Sequence, residues 1–202
     1  RIIILPRDKS EGYAKKNYQG NFEIKDAAFI YAGARTPLFE SLSFSVAPGH
    51  TVFCVGENGT GKSTLARLMV GLINPARGEV LVDGINLLQI APEWWRRQIV
   101  FLPQEPVLFS ATIRENIVIN NPNMMDPKTQ EIIDKVGLRK FVDESESGLD
   151  TYITEHGRNL SVGIKKRIAL ARAIATDGSL VILDEPTEGL DNEGISVVGK
   201  VT

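Results

Sequence analysis

Cysteine is almost absent from these 202 residues: Cys54 stands alone, so no internal disulfide can form. Its place in an apolar run assigns it the role of a small core residue, and a reducing compartment suits it. Long apolar runs are missing too. None approaches the roughly 18–20 residues that cross a bilayer, which excludes a membrane-spanning helix from this sequence. Net charge is nearly absent: 23 Lys and Arg against 25 Asp and Glu leave −2, which gives no electrostatic case for a nucleic-acid partner. The short basic clusters Arg96-Arg97 and Lys165-Lys166-Arg167 read as solvated helix faces. There is no internal repeat and no low-complexity tract. What remains is 43% apolar and 24% charged, an ordinary globular balance, and the length suits one domain, with room for a subdomain. The chain opens at Arg1 rather than methionine, and residues 7–20 are polar. We therefore expect a linker over 1–20 in a piece of a longer polypeptide.

Against this plain background one segment is specific. Gly56-Glu57-Asn58-Gly59-Thr60-Gly61-Lys62-Ser63 fits G-x-x-x-x-G-K-S/T, the phosphate-cradling loop of nucleotide triphosphatases. At ordinary residue frequencies such a match arises roughly once in 30,000 start positions. The context agrees: Thr51 to Val55 reads as a buried strand entering the loop, and Ser63 to Val70 as a helix leaving it. Glycines at 56, 59 and 61 let backbone N–H groups converge on phosphate oxygens, and the helix N-terminus adds its dipole. Lys62 is expected to reach the β- and γ-phosphates, and the Ser63 hydroxyl to ligate Mg²⁺; Thr64 packs or helps cap the helix.

Further along, Phe22 to Tyr31 and Leu42 to Val46 alternate as antiparallel strands do, and Glu79 to Gly84 reads as a strand ending in a turn. Ile99 to Leu102 is a short buried strand stopped by Pro103. From Thr112 to about Ala175 the chain reads as mostly helical. One helix is expected to have Asp126 as N-cap, Pro127 at its first position and Gly137 past its end; another spans Val162 to Ala175. Leu180 to Leu183 is a continuous apolar strand, of the kind covered on both faces, and it delivers Asp184 and Glu185 at its carboxyl edge. In company with a phosphate loop, Asp184 is expected to hold Mg²⁺ through water and Glu185 to orient and polarise the attacking water.

With these motifs in this order, the chain from Phe22 onward resembles the nucleotide-binding domain of ATP-binding cassette (ABC) transporters of the exporter type. The resemblance implies an α/β P-loop NTPase core over residues 21–202. Its mixed sheet would carry an antiparallel β subdomain, joined by an α-helical signature subdomain at about 105–175. It implies adenine stacking by Tyr31, in Phe29-Ile30-Tyr31. It makes Gln104, in Phe101-Leu102-Pro103-Gln104-Glu105-Pro106, a sensor of Mg²⁺ and the attacking water. Residues 108–117 resemble the exporter segment that touches the membrane domain's intracellular helices, Thr154-Glu155-His156-Gly157 stands at the exporter X-loop, and Asp191 matches the end of the D-loop. His156 is given no chemistry.

Leu160-Ser161-Val162-Gly163-Ile164 stands where the family has Leu-Ser-Gly-Gly-Gln. Ser161, the Gly163 N–H and the helix that follows can still close over the γ-phosphate held by a second subunit. Ile164 offers the ribose no hydrogen bond, and Val162 adds bulk. By the same resemblance the final core strands and a switch histidine would lie beyond Thr202, so a chain ending there is expected to bind Mg·ATP yet hydrolyse it poorly. The implied function is an ATP-driven export motor at the cytoplasmic face of the inner or plasma membrane. Its partners would be a transmembrane domain and a second nucleotide-binding domain, with no nucleic acid expected. The alternatives are a cassette ATPase acting on nucleic acid or ribosomes, and a weakly catalytic regulatory module.

Overall fold

The computed structural model describes residues 18–50, 52, 54–57 and 59–185, and the chain divides into two compact units after Gln98. In the first, β1 (Phe22–Phe29) is the centre of an antiparallel sheet ordered β2-β1-β3-β4, with β2 Phe39–Val46, β3 Arg77–Val82 and β4 Ile85–Asn86. Ile24 faces Phe44 on one side and Val80 on the other. Strict alternation would bury residues 22, 24, 26 and 28. Instead Phe22, Ile24, Ala27 and Phe29 are buried, because register shifts on both edges of β1 change its parity at Asp26, which takes a left-handed φ of 46°. Gly78 on β3 makes room for this bulge. A β-carbon there would stand 2.3 Å from the Asp26 carbonyl oxygen, and the residue's own φ is +84°.

Under the sheet lies Trp95 of α2 (Pro92–Arg96), stacked on Phe22 at 6.1 Å between ring centroids. Its indole N–H donates to the Met69 carbonyl at 3.0 Å, which ties α2 to α1 (Lys62–Val70). The first strand stops two residues short of its expected end at Tyr31, and the second starts earlier than Leu42.

The run entering the phosphate loop differs from expectation. Val52, Cys54 and Val55 are in no strand; Val52 is 53% and Val55 92% exposed, and Cys54 is exposed rather than a core residue. Thr51 and Phe53 lie outside the described residues. The physical reason is the lack of a ladder. A central parallel strand needs backbone partners beside it, and among the described residues every named strand pairs elsewhere.

In the second unit, β5 (Ile99–Leu102) and β6 (Leu180–Leu183) pair in parallel, Ile99 with Leu180 through Leu102 with Leu183. Among the described residues four α-helices accompany them: α3 Ile113–Val118, α4 Asp126–Lys135, α5 Arg139–Asp143 and α6 Val162–Ala175. Their core is aliphatic, with Leu102, Leu108, Ile117, Ile133, Leu138 and Ile168 each almost wholly buried. Val181 remains partly exposed, so among the described residues β6 is not covered on both faces.

A capping box starts α3: Thr112 Oγ1 accepts from the Glu115 amide and Glu115 Oε2 from the Thr112 amide. At α4 the N-cap is Met125, not Asp126, which is already helical. The Asp126 carboxylate pairs with Arg114 instead of capping. Lys166 and Arg167 are buried on α6, contrary to the reading of that cluster as a solvated face. Arg167 Nη1 donates to the carbonyls of Val136 and Gly137 at 3.2 and 3.0 Å, a cation at the C-terminus of α4.

Candidate active site

The phosphate loop closes on itself. Glu57's carbonyl accepts from Thr60 Oγ1 at 2.8 Å and from Lys62 Nζ at 2.9 Å, and the same ammonium reaches the Gly56 carbonyl at 2.8 Å. Helix α1 then starts at Lys62. Its N-cap, Gly61, has φ 102° and, being glycine, brings no side chain to cap the helix. Glycine is required there by φ, and an alanine methyl would in addition have to displace the end of the Leu38 side chain, 2.9 Å away at Cδ2. These are the properties of an anion site at a helix N-terminus. Ser63 is half-buried on the first turn. Asn58 lies outside the described residues.

Thr64 is buried and does not cap the helix. Its hydroxyl shares a 2.5 Å hydrogen bond with the Tyr31 phenol. Tyr31 is 47% exposed, with its ring edge-on to Phe29 at 4.9 Å. The residue expected to stack on adenine is therefore held beside the turn that carries Lys62 and Ser63.

In the second unit the parallel register does the positioning. Leu102 faces Leu183, and the Asp184 amide extends the ladder to the Leu102 carbonyl at 2.9 Å. Two residues beyond the last pair on each strand stand Gln104 and Glu185. Gln104 Nε2 donates to Glu185 Oε2 at 2.8 Å. Glu185 has φ 46°, left-handed for a residue with a β-carbon. Asp184 is buried at the strand end. In this unit the Gln104 amide oxygen and the Asp184 carboxylate are hard oxygen donors; in the first unit the Ser63 hydroxyl is another. That chemistry fits Mg²⁺, which takes few protein ligands and relies on substrate phosphates. Among the described residues no group of three or more His, Cys, Asp or Glu could hold a metal by itself.

Ser161 is the N-cap of α6, its hydroxyl accepting from the Ile164 amide at 3.2 Å. Val162 follows at the first helical position, 57% exposed. Glu155 and His156, in the segment expected to be the X-loop, both have left-handed backbone. Their loop is tied to residues 108–113: Tyr152 Oη donates to the Ser110 carbonyl at 2.6 Å, Ile153 N to the Ala111 carbonyl at 2.9 Å, and Ile113 N to the Thr151 carbonyl at 3.0 Å. His156 Nδ1 stands 3.0 Å from the Leu108 carbonyl, a positional role. Asp191 lies outside the described residues.

Sequence reasoning missed Asn116 and Arg172. Asn116 is fully buried on α3. Its Oδ1 accepts from Phe109 N at 2.8 Å and from Arg172 Nη2 at 2.7 Å. The Arg172 guanidinium lies 4.9 Å from the Phe109 ring centroid, and burial lowers its pKa. A signal existed: Asn116 falls between Ile113 and Ile117, on the apolar face of its helix.

Residues 39–188 match the profile of the ABC transporter family. Among curated proteins, ABC transporter B family member 21 of Arabidopsis thaliana is 39% identical over 188 residues, covering 93% of this chain and 14% of that protein. Antigen peptide transporter 2 of Rattus norvegicus is 36% identical over 181 residues, covering 89% of this chain and 26% of its own length. The chain thus spans only a minor part of these relatives. A solved bacterial Atm1-family ABC exporter with ATP bound superimposes with a TM-score of 0.82 at 28% identity, over 95% of this chain and 35% of the exporter chain. Among the described residues no helix is long and apolar enough to cross a membrane. The phosphate loop, the acidic strand end and these likenesses agree: the chain belongs to the ABC transporter family and carries that family's ATPase domain.

Proposed function

We propose that this chain is the ATP-hydrolysing motor of an exporter, working at the cytoplasmic face of a membrane with a transmembrane domain and a second nucleotide-binding domain. The observation that carries the proposal is the hydrogen-bonded pair Gln104 and Glu185 at the carboxyl ends of two parallel strands. A carboxylate so held can orient a water molecule for in-line attack on a γ-phosphate. Lys62 and the first-turn amides of α1 would bind the triphosphate, and Tyr31 the adenine. Mg²⁺, held by Ser63 and Gln104 directly and by Asp184 through water, would neutralise charge on the β- and γ-oxygens. Ser161, Gly163 and Asp191 would face the nucleotide of the other domain, so that two ATP molecules lie between two subunits. Closure on ATP and reopening after hydrolysis would drive the membrane domain. Residues 108–117, stapled to the X-loop, are the surface through which that motion would pass.

Glu185→Gln in the full-length protein tests this reading. It should retain ATP binding and accumulate an ATP-bound dimer, seen by size-exclusion chromatography with bound nucleotide. Absence of that dimer, with ATP binding intact, would remove Glu185 from the proposed role. A second reading, a nucleotide-binding module with little turnover, draws support from Val162 and Ile164 at the head of α6. Turnover of the full-length protein on the scale of about 1 per second or faster would exclude it.

A further inference from the structure

Lys166 is 3% exposed on α6 and takes part in none of the roles assigned above. Among the described residues its ammonium makes one hydrogen bond, from Nζ to the main-chain carbonyl of Glu185 at 3.1 Å. Burying an ammonium is costly, and lysine is almost never fully buried unless it is paired. Its acceptor is no ordinary carbonyl. It belongs to a residue with left-handed backbone, a conformation that persists only where surrounding groups hold it.

Three holds converge on that residue. The Asp184 amide, bonded to the Leu102 carbonyl, fixes the chain just before it. Gln104 grips the carboxylate, and Lys166 grips the carbonyl just after the turn. We propose that Lys166 is a positioning residue for Glu185: it fixes the main-chain turn from which the carboxylate is presented. The inference rests on the catalytic reading of Glu185. Because Ser161 caps the same helix little more than one turn earlier, it also ties Glu185 to the helix that carries the signature serine.

The test uses the full-length protein, with ATP turnover and ATP binding measured separately in each variant. Lys166→Met keeps the stem's length and apolar packing but removes the donor. Its kcat should fall on the order of 10-fold while ATP affinity stays within about twofold, since a misaimed group costs rate rather than binding. Lys166→Gln keeps an N–H donor on a stem one atom shorter and should lose about threefold, a partial rescue. In a Glu185→Gln background, Lys166→Met should alter the residual turnover by less than about twofold, because the group it positions is gone. Wild-type kcat in Lys166→Met overturns the proposal, as does an equal fall in both backgrounds, which would mark Lys166 as merely structural. If Lys166→Met does not fold, wild-type turnover in Lys166→Gln overturns it alone. Failure of the unsubstituted protein to bind ATP would instead refute the proposed function, a distinguishable result.

Discussion

Replacing Asn116 by alanine is the sharpest probe of how the loop over residues 105–112 is attached to the helices. The side chain is fully buried and uses both of its polar atoms. Oδ1 accepts from Phe109 N and Arg172 Nη2, and Nδ2 donates to the carbonyls of Phe109 and Thr112 at 3.0 Å each. Alanine leaves Phe109 N, Phe109 O and Arg172 Nη2 without these partners. The Thr112 carbonyl keeps a bond from the Asn116 amide. An orphaned buried group costs roughly 1–3 kcal/mol, and Phe109 stands close enough to solvent for the lower end to apply, so the sum is about 3 kcal/mol. Hydrogen exchange of the α3 and α6 amides reads that quantity locally. A loss of about 3 kcal/mol accelerates exchange limited by local opening roughly 100-fold. Exchange in the first unit should not change. Acceleration below about fivefold in α3 and α6 would show that Asn116 is not what holds the loop, and the hydrogen-bond accounting would fail.

Other consequences are as direct. Gly78→Ala should destabilise the first unit by about 2 kcal/mol or more, because the methyl meets the Asp26 carbonyl and φ is left-handed; urea unfolding followed by Trp95 fluorescence measures it. Thr64→Val removes the partner of the Tyr31 phenol and should weaken ATP binding about fivefold while leaving inorganic triphosphate binding unchanged, by calorimetry. Burial, and secondly the Asp83 carboxylate, push the Tyr18 phenol up to about 12 from its ordinary 10.0. The folded state therefore holds that proton longer than the unfolded chain does. The associated stability is complete below pH 10 and is lost as pH rises through about 12; the phenolate absorbance, compared with Tyr18→Phe, tests it. Val162→Gly together with Ile164→Gln should tighten ATP-dependent dimers of the full-length protein, and unchanged dimerisation would refute the account of the weakened signature.

What the sequence made legible follows a physical line. Helix α6 and strands β5 and β6 were read at their observed bounds, because each is a long periodic or continuous apolar segment. The start of α4 was misplaced by one residue, since a side chain that caps in isolation was claimed by Arg114, twelve positions away. The two-tryptophan helix α2 is too short to show a period. Lys166 and Arg167 were read as solvated because charge usually means exposure. Their acceptors lie 19 and about 30 residues away, beyond any local pattern. The strand before the phosphate loop was read from its β-branched apolar letters, which say what such a run prefers but not what it will find beside it. In the candidate site, motifs name Gln104 and Glu185 singly; the bond between them and the Lys166 contact depend on tertiary register.

That register gives the site a dependence on residues that never touch nucleotide. Gln104 meets Glu185 because each lies two positions past the pair Leu102 and Leu183. In a β-ladder a slip of one residue turns every side chain to the opposite face. With β6 displaced by one, Asp184 would occupy the place opposite Leu102, and the carboxylate of Glu185 would leave the side on which Gln104 waits. Leu102, buried on β5, and Leu183 of β6, packed against the same aliphatic cluster, resist such a slip. The 2.8 Å bond between Gln104 and Glu185 is thus set by an apolar core, and on the proposed function substitutions that loosen the core should lower turnover before they lower nucleotide affinity.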